Sequence, residues 1–147
     1  MKNEIKVIYV TKADEYKQIM NLYQDQTIQN TFQGYRTDRL AASEITFLIY
    51  HNNTPIGFIL LVRENQRRNS LGIDIAIKKE YRGNGYGKLA MEIFKEHYLP
   101  LIEEHIHVQV SKNNIPANKV ISVLDKEYLE TIDNSDYYQI INNHHKK

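Results

Sequence analysis

Apolar residues recur along the chain at two spacings, the two-residue period of strands and the period of about 3.6 residues of helices. The shorter period, carried largely by β-branched side chains, predicts strands at Glu4–Val10, Ile45–Tyr50, Pro55–Arg63, Leu71–Ile77, His105–Ser111 and Tyr137–Ile141. The longer period predicts helices over 13–23 and 86–97, and a last helix that opens after Asn114 and has apolar positions through Tyr128. The mixed, polar segment Gln24–Leu40 indicates a loop with a short helix. A hairpin-rich first half followed by alternating strands and helices predicts an α/β (α+β) domain with a mixed sheet.

Residues with capping or backbone preferences set several boundaries of these elements. Thr11 is expected to cap the first helix, and Pro100 is expected to end the second long helix. Pro116 suits the first turn of the last helix. The segment His51–Thr54 predicts a tight hairpin turn because its two asparagines tolerate positive φ angles, and Glu64–Asn69 predicts a second polar turn.

Composition narrows the class of protein. With 147 residues, of which 41% are hydrophobic and 25% charged, the chain predicts one globular domain over 1–147 with a frayed C-terminal tail. The formal net charge of +1 provides no basic excess for nucleic acid or anionic membrane. The lack of cysteine excludes disulfides, thiolate metal sites and cysteine nucleophiles. No apolar run approaches the length needed to span a bilayer, so a cytoplasmic location is expected.

The segment EYRGNGYGKLAME (Glu80–Glu92) places three glycines at alternate positions directly before a helical pattern. A strand, a tight loop and a helix in this order align main-chain N–H groups at a helix N-terminus, where the dipole favours an anion by about 0.3–1 kcal/mol. Glycines permit positive φ angles and let an anion approach without a Cβ in its path. Arg82 and Lys88 are expected to flank these amides as charged donors. A tight turn without a ligand is the alternative, but three alternate glycines between two cations favour a phosphate or pyrophosphate site.

Two familiar phosphate motifs do not fit this segment. A Walker loop needs serine or threonine where the chain has Leu89, and glycine where it has Arg82. The dinucleotide fingerprint needs glycine where the chain has Lys88. The pattern [RQ]-x-x-G-x-[GA] does fit, as Arg82-Gly83-Asn84-Gly85-Tyr86-Gly87.

On these residues the chain resembles the GNAT superfamily of N-acetyltransferases. The resemblance covers the strand, turn, glycine motif and helix written IDIAIKKEYRGNGYGKLAMEIF. A weaker match is NNIPANKVISVL, which is similar to the family's N-x-x-[AS] segment at Asn114 and Ala117. The resemblance implies a mixed, mostly antiparallel sheet of about six to seven strands, with about four helices and a splayed gap between strands four and five. It also implies transfer of an acetyl group from acetyl-CoA, as cosubstrate, to a primary amine of a small molecule, peptide or protein.

In this family the pyrophosphate of CoA lies on the glycine-loop amides, and the pantetheine arm pairs with the fourth strand across the splayed gap. The resemblance therefore implies a cofactor-binding set of Ile75, Ala76, Ile77, Arg82, Gly83, Asn84, Gly85, Tyr86, Gly87, Lys88 and Asn114. A backbone N–H near Ile75 is expected to polarise the thioester carbonyl, as an oxyanion hole does. The side chains of Ile75 and Ile77 can belong to the core at the same time.

The residues for proton transfer match the family less well. Many relatives have a tyrosine acid where this chain has Ile121, and some have a glutamate base where it has Gln109. Tyr128 is the remaining acid candidate, with a core position as the alternative. Asp74, on the strand that faces the cosubstrate, is the base candidate, with pairing to a lysine or capping of a turn as the alternative. Ordered water and proximity suffice in several relatives.

The acceptor is expected to face the segment 26–39. Phe32 and Tyr35 are candidates for an apolar wall, and Arg36, with Asp38 and Arg39, could orient a charged acceptor such as a carboxylate. The alternative is a polar surface loop whose two aromatic residues anchor it to the core.

Three further expectations concern partners and competing functions. His105 and His107 share one strand face and could bind a metal, but packed or solvent-facing histidines are the expected arrangement, and no metal is predicted. The partner is an amine acceptor, with no nucleic acid or membrane, and the protein is a monomer or homodimer. A catalytically silent acyl-CoA-binding sensor or regulatory module, and a different phosphate-ligand protein, stay open as alternatives to the enzyme.

Overall fold

The computed structural model describes residues 4–32, 38–64 and 69–142. Within these ranges it has seven strands: β1 Ile5–Tyr9, β2 Ser43–His51, β3 Thr54–Arg63, β4 Ser70–Ile77, β5 His105–Ser111, β6 Lys126–Ile132 and β7 Ser135–Ile140. The α-helices there are α1 Ala13–Tyr23, α2 Gln26–Thr31, α3 Tyr86–His97 and α4 Ile115–Ile121, and short 3-10 helices cover Lys79–Tyr81 and Leu99–Leu101. In the described part of the chain, no helix combines the length and the apolar character that crossing a membrane requires.

The strands form one sheet in the order β1-β2-β3-β4-β5-β7-β6. All neighbours are antiparallel except β4 and β5, which are parallel. Among the described residues their pairing joins Ser70–Gly72 to His105–His107 only, whereas β4 pairs with β3 as far as Ile77. The space that opens between the two strands beyond Gly72 is called the β4–β5 gap below. The predicted mixed, mostly antiparallel sheet with a splayed gap between strands four and five is confirmed.

Each face of the sheet carries its own apolar core. On the α3 face, Phe94 of α3 and Ile121 of α4 pack against the sheet. On the α1 face, Ile19 of α1 and Ile28 of α2 pack with Phe58 of β3. Because side chains alternate along a strand, β4 contributes to both faces.

The alternation in β4 sorts its residues by chemistry. Ile73 and Ile77 belong to the core of the α3 face, and Ala76 belongs to the core of the α1 face. Gly72 and Asp74 share the α1 face with Ala76, at two-residue spacing. The sheet therefore presents a polar position among apolar ones on the side that carries α1 and α2.

Local sequence explains the turn and the cap in the first half. Asn52 and Asn53 have φ angles of 48° and 72°, which confirms the predicted asparagine turn between β2 and β3. The prediction that Thr11 caps α1 is wrong, because the N-cap residue is Lys12. The carboxylate of Glu15, in the first turn, accepts hydrogen bonds from the N–H groups of Thr11 and Lys12 at 3.1 Å each and so fixes the main chain where the helix begins.

The last helix is shorter than the apolar spacing predicts. Asn114 caps α4 as predicted, since its Oδ1 accepts a hydrogen bond from the N–H of Ala117 at 3.1 Å. The helix ends at Ile121 rather than continuing through Tyr128. Tyr128 lies on β6, so its predicted placement on a helix is wrong.

A hairpin explains this difference at the C-terminal end. Asp133 and Asn134 have φ angles of 48° and 67° and form the tight turn between β6 and β7. Asp and Asn favour such turns, and strand pairing on both sides of the turn outweighs the helical spacing of the residues before it. Strand β6 was therefore missed by the sequence pattern, although its turn carries a recognisable signal.

Candidate active site

The loop between β4 and α3 needs glycine at two positions for its backbone angles. Gly83 has a φ angle of +83° and Gly85 of +79°, in the region that residues with a Cβ rarely adopt. Gly85 is the N-cap of α3, and no side chain in the described ranges caps this helix end. A Cβ built on either glycine meets no atom within 4 Å, so the space above both is open. The loop therefore presents uncapped N–H groups of α3 to open space, as an anion site requires.

Glycine is needed at position 87 for a different reason. A Cβ at this position would lie 3.2 Å from Cγ2 of Val120 and 3.4 Å from Cδ1 of Ile77. Glycine here allows α3 to pack closely on α4 and β4. Positive φ angles thus explain two of the three alternate glycines, and packing within the protein explains the third.

Arg82 is bound to main-chain and hydroxyl groups of the protein. Its Nε donates to the carbonyl oxygen of Ile77 at 2.8 Å, and its Nη2 donates to the carbonyl oxygen of Thr27 at 3.0 Å and the hydroxyl of Thr31 at 3.4 Å. The N–H of Lys79 also donates to Oγ1 of Thr27 at 3.1 Å. The guanidinium satisfies carbonyls at the end of β4 and in α2, which its fork of donors suits. The side chain therefore ties β4 to α2, and its predicted contact with a phosphate stays a prediction.

Other predicted members of the loop have mixed surroundings. Lys88 is exposed in the first turn of α3, beside the uncapped N–H groups. Asn84 turns its side-chain amide back towards carbonyl oxygens of the loop, at 3.4 and 3.5 Å. Tyr86 stacks on His51 of the β2–β3 hairpin, with ring centroids 4.7 Å apart. Lys88 is therefore a cation that this loop offers to a bound anion.

Along the β4–β5 gap, the backbone edge of β4 faces no partner strand among the described residues, while its side chains pack in the core. Ile75 pairs with Ile59 of β3 on one side, and in the described residues it has no partner in β5 on the other. Ala76 and Ile77 are buried, and Ile75 is half-buried against the α3-face core. This arrangement suits the predicted double role, in which the backbone meets the cosubstrate while the side chains stay in the core.

Asn114 lies at the other side of the gap, after the end of β5. Its carboxamide oxygen caps α4, and its main-chain carbonyl accepts from Nδ2 of Asn118 at 2.8 Å. The same nitrogen donates to the carbonyl of Ser111 at 3.1 Å and so ties α4 to β5. The described contacts of Asn114 are thus those of a helix cap, and its contact with a cosubstrate stays a prediction.

Five polar side chains form a continuous chain on the α1 face at the start of the gap. The hydroxyl of Ser70 lies 2.8 Å from Nδ1 of His107, and Nε2 of that ring lies 3.0 Å from Oε2 of Glu64. Oε1 of Glu64 lies 2.8 Å from Nη1 of Arg39, whose Nε donates to Oδ2 of Asp74 at 2.8 Å. These residues are called the buried polar chain below, since their side chains are closed off from solvent or nearly so.

Gly72 makes room for the buried polar chain. A Cβ on Gly72 would lie 3.1 Å from Oε1 of Glu64 and 3.1 Å from Nε2 of His107. Gly72 and His107 also form the last residue pair between β4 and β5. The buried polar chain therefore bridges β4 and β5 at the point where the two strands begin to separate.

The pKa values of the two carboxylates in the buried polar chain are shifted in opposite directions from their ordinary values. Burial raises the pKa of Asp74 and outweighs the lowering effect of Arg39, while nearby Glu64 raises this pKa further. Burial also raises the pKa of Glu64, but the hydrogen bond from His107 and the charge of Arg39 bring it below its ordinary value overall. Asp74 thus binds a proton more readily than an ordinary aspartate, as a general base that works near neutral pH requires.

The expected partners of Asp74 and Arg39 differ from those in the structure. Asp74 pairs with an arginine and not with a lysine, and this pairing is compatible with a role as base. Arg39 is 4% exposed and is engaged by two carboxylates, so the expectation that it orients an acidic acceptor is corrected. Its position is explained by the negative charge already inside the protein.

Phe32 belongs to the core and not to an open wall. It follows α2, is 8% exposed, and stacks on Phe58 with centroids 6.1 Å apart and planes 5° apart. Tyr23 lies at 5.7 Å from the same ring. This placement favours the anchoring interpretation that the sequence left open. Tyr35 and Arg36, the other predicted substrate residues, lie outside the described residues.

The two positions at which relatives have a tyrosine acid or a glutamate base hold residues that cannot transfer a proton here. Ile121 is buried in the α3-face core and Gln109 is exposed on β5. Tyr128 is 56% exposed, bonds to the hydroxyl of Thr131 at 2.6 Å, and pairs directly with Tyr138, which packs on the α3 face. Residues directly opposite in a sheet share a face, so Tyr128 lies across the sheet from the buried polar chain. A role as acid for this tyrosine is not supported by its position.

The histidine pair is accounted for within the protein. Both ring nitrogens of His107 have partners in the buried polar chain, and Nδ1 of His105 lies 3.4 Å from Nε2 of Gln139. Among the described residues, no three His, Cys, Asp or Glu side chains are grouped so that they could hold a metal ion.

Sequence reasoning missed Glu64, Ser70 and the part that His107 has in the chain. The four contacting pairs are 43, 37, 35 and 25 positions apart, so no local spacing reveals them. One signal was present: Gly72 interrupts an otherwise apolar strand, and a glycine inside a strand often marks a close approach.

Solved structures with the same fold include several acetyltransferases. The ribosomal-protein-S5-alanine acetyltransferase from Vibrio fischeri is 14% identical, with a TM-score of 0.68 over 100% of this chain and 98% of that one. Spermidine N-acetyltransferase from Vibrio cholerae, in complex with CoA and spermine, is 17% identical, with a TM-score of 0.58 over 92% and 93% of the two chains. Naa50 from Arabidopsis thaliana, with a bisubstrate analogue that contains CoA, is 19% identical, with a TM-score of 0.58 over 92% and 96%. At these identities the likeness shows the fold.

Sequence comparison identifies the family. A search of curated proteins finds no match. The family model of the acetyltransferase (GNAT) family matches residues 13–123, which include the glycine loop and the whole buried polar chain. The resemblance inferred from the glycine loop is confirmed, and with it the predicted enzyme class and the acetyl-CoA cosubstrate of that family. This chain belongs to the GNAT family of acetyltransferases.

Proposed function

We propose that the protein transfers the acetyl group of acetyl-CoA directly to a primary amine of a small molecule, peptide or protein. The observation that carries this proposal is the open space over Gly83 and Gly85 at the uncapped N-terminus of α3. A diphosphate in that space accepts hydrogen bonds from main-chain N–H groups and is favoured by the helix dipole. The β4–β5 gap extends from this loop towards the buried polar chain. The pantetheine arm of the same molecule can therefore lie in the gap and bring the thioester close to Asp74.

The chemistry requires an amine that has lost a proton. A lysine-like amine has a pKa of about 10.4, so only about 0.1% or less of it is neutral at pH 7. Asp74 accepts that proton: an N–H bond of the ammonium breaks and an O–H bond forms on the carboxylate. Asp74 suits this step because burial raises its pKa.

Acetyl transfer then follows without a covalent enzyme intermediate. The nitrogen lone pair forms a C–N bond with the thioester carbonyl carbon, the C–S bond breaks, and the electron pair of that bond stays on the sulfur of CoA. A second proton leaves the nitrogen and protonates the thiolate or water. A backbone N–H near Ile75, on the edge of β4 without a partner strand in the described residues, stabilises the developing oxyanion.

The names of two structural neighbours guide the choice of amines to test. One is named for the alanine of a ribosomal protein and another for spermidine. A panel of N-terminal peptides, polyamines, amino acids and aminoglycosides covers both kinds. Release of thiol from acetyl-CoA, measured with each of these amines, tests the transfer itself.

Binding of the donor is tested separately by calorimetric titration with acetyl-CoA. The protein is expected to bind it in the micromolar range, and Gly85→Val is expected to abolish binding because the valine side chain fills the open space. Asn134→Val is the matched control, since Asn134 also has a positive φ angle, 67°, but lies in the β6–β7 turn. Both variants carry similar backbone strain of about 1–2 kcal/mol, and only the first should lose acetyl-CoA. Equal affinity in Gly85→Val and the parent protein would place the diphosphate elsewhere.

A second function, a silent acyl-CoA-binding sensor, is favoured by one observation. Ile121 stands where many relatives have a tyrosine acid, and it is buried in the core. Binding of acetyl-CoA without thiol release for any amine of the panel would support the sensor and contradict the transferase.

A further inference from the structure

Arg39 divides one guanidinium between two carboxylates. Its Nε and Nη1 each lie 2.8 Å from an oxygen, the first of Asp74 and the second of Glu64. One cation does not neutralise two carboxylates. The negative charge of Glu64 therefore offsets part of the attraction between Arg39 and Asp74.

The far end of the buried polar chain fixes Glu64 in this position. An ionised carboxylate only accepts hydrogen bonds, so Nε2 of His107 carries the proton that points at Glu64. The other ring nitrogen, Nδ1, lies 2.8 Å from the hydroxyl of Ser70, which holds the ring from its second side. Held at Oε2 by His107 and at Oε1 by Arg39, the carboxylate lies over Gly72, where no Cβ displaces it.

Several elements place ionisable groups against Asp74. In the described part of the chain these groups are Tyr23 of α1, Arg39 before β2, Glu64 after β3 and His107 of β5. Burial, then Asp38, then Asp74 raise the pKa of Tyr23, so this tyrosine stays neutral at pH 7. Arg39 stays charged throughout. Glu64 is therefore the anion of this group whose removal changes the charge beside Asp74.

We propose that Glu64 is a positioning residue for acetyl transfer, which holds Arg39 between two carboxylates and so leaves Asp74 able to accept the proton of the acceptor amine. This inference rests on the proposed function, in which Asp74 is the base. Glu64 acts through Arg39 and needs no contact with either substrate. Without the charge of Glu64, Arg39 pairs with Asp74 alone, and that carboxylate holds a proton less readily.

The proposal is tested by following Asp74 directly, in protein labelled with 13C at the aspartate carboxyl groups. Glu64→Gln keeps a side chain of the same length that can still hydrogen-bond, but it removes the charge. In an NMR titration, Asp74 of Glu64→Gln is expected to titrate at lower pH than Asp74 of the parent protein. In His107→Phe, Asp74 is expected to titrate at higher pH. Glu64 then loses the donor Nε2 of His107, so it binds Arg39 more strongly and Asp74 binds Arg39 less strongly.

Kinetics with the best amine of the panel tests the connection to transfer. The acid limb of the kcat/KM profile of Glu64→Gln is expected to move to lower pH together with Asp74, and kcat on the plateau is expected to fall several-fold. The KM for acetyl-CoA should stay unchanged, because Glu64 lies outside the glycine loop. Glu44→Gln is the matched control: Glu44 forms a partly exposed ion pair with Arg63 at 2.7 Å, outside the buried polar chain, and its loss should leave the titration of Asp74 unchanged.

The outcomes separate this inference from the proposed function. An Asp74 that titrates at the same or higher pH in Glu64→Gln overturns the inference, whatever the activity. A shifted Asp74 with an unshifted kcat/KM profile overturns the role of Glu64 in transfer. Absence of thiol release from the parent protein with every amine overturns the proposed function and, with it, the role of Glu64 in transfer. In that case the NMR shift still supports the competition of Glu64 and Asp74 for Arg39.

Discussion

The guanidinium of Arg82 donates to the main-chain carbonyl of Thr27 at 3.0 Å, and this bond joins the glycine loop to the helix on the opposite side of β4. A second bond, to the carbonyl of Ile77 at 2.8 Å, fixes the same side chain at the end of the strand. The arginine of the glycine motif therefore organises α2, a helix of the α1 face. The exposed Lys88 lies in the first turn of α3, next to the uncapped helix end.

We expect Arg82→Gln and Lys88→Gln to have different effects. Arg82→Gln removes charged donors from carbonyls of β4 and α2, so it should lower the free energy of unfolding by about 1 kcal/mol and speed amide exchange in α2. Lys88→Gln should weaken acetyl-CoA binding several-fold and leave exchange in α2 unchanged. Calorimetry and hydrogen exchange on both variants check this. Faster exchange in α2 of Lys88→Gln alone would contradict the assignment.

The raised pKa of Asp74 predicts a specific dependence of stability on pH. Because folding raises this pKa, the stability that Asp74 contributes is fully present below its pKa in the unfolded chain and is lost as pH rises through its pKa in the folded protein. Asparagine does not ionise. The free energy of unfolding of Asp74→Asn minus that of the parent protein should therefore increase as pH rises through this window and then level off.

Urea denaturation across the acid-to-neutral range measures this difference. Asp136→Asn is a control of opposite sign, since hydrogen bonds from Thr131 and Lys112 lower the pKa of Asp136. Stability from Asp136 is present above its unfolded pKa and is lost as pH falls through its folded pKa. The Asp136→Asn difference should therefore become more negative as pH rises. Parallel curves for the two variants would show that the burial of Asp74 does not govern its ionisation.

Glycines in the sheet should differ in their tolerance of alanine. A Cβ on Gly57 would lie 2.2 Å from the carbonyl oxygen of Ala76, a backbone atom of the neighbouring strand, so Gly57→Ala should cost about 1–3 kcal/mol or more. A Cβ on Gly72 meets only side-chain atoms, at 3.1 Å, and Gly72→Ala should cost less stability. Because those atoms belong to Glu64 and His107, Gly72→Ala should instead lower kcat. Denaturation and thiol release on both variants check the order, and a more severe loss of stability in Gly72→Ala would contradict it.

Tyr128→Phe should leave turnover unchanged. Its hydroxyl bonds to Thr131 on the exposed strand β6, across the sheet from Asp74. Thiol release with the best amine of the panel measures the effect, and Asp74→Asn, which should lose most of the activity, is the positive control. A loss of turnover in Tyr128→Phe that matches Asp74→Asn would restore the tyrosine as the acid.

The glycine loop and the frame of the fold could be predicted because their signals are local. Positive φ angles at Gly83 and Gly85 and the capping residue Asn114 act within a few positions of the chain. The different structural reasons for the three glycines could not be predicted, because the packing partner of Gly87 is Val120, on another helix.

The buried polar chain could not be predicted for a related reason. Asp74 was recognised as a candidate base from its place on the strand, but its raised pKa depends on burial and on Arg39 and Glu64, which come from distant segments. Strand β6 was missed because the helical spacing before it competes with strand pairing that only the folded sheet provides. Long-range contacts decide both cases.

The short pairing of β4 with β5 has a consequence for folding cooperativity. Among the residues that the structure describes, backbone pairing between the strands β1–β4 and the strands β5–β7 is confined to Ser70–Gly72 and His105–His107. The two parts of the sheet are therefore expected to open to solvent as partly independent units. A molecule lodged in the gap provides backbone partners to both, and it is expected to make the two units unfold as one.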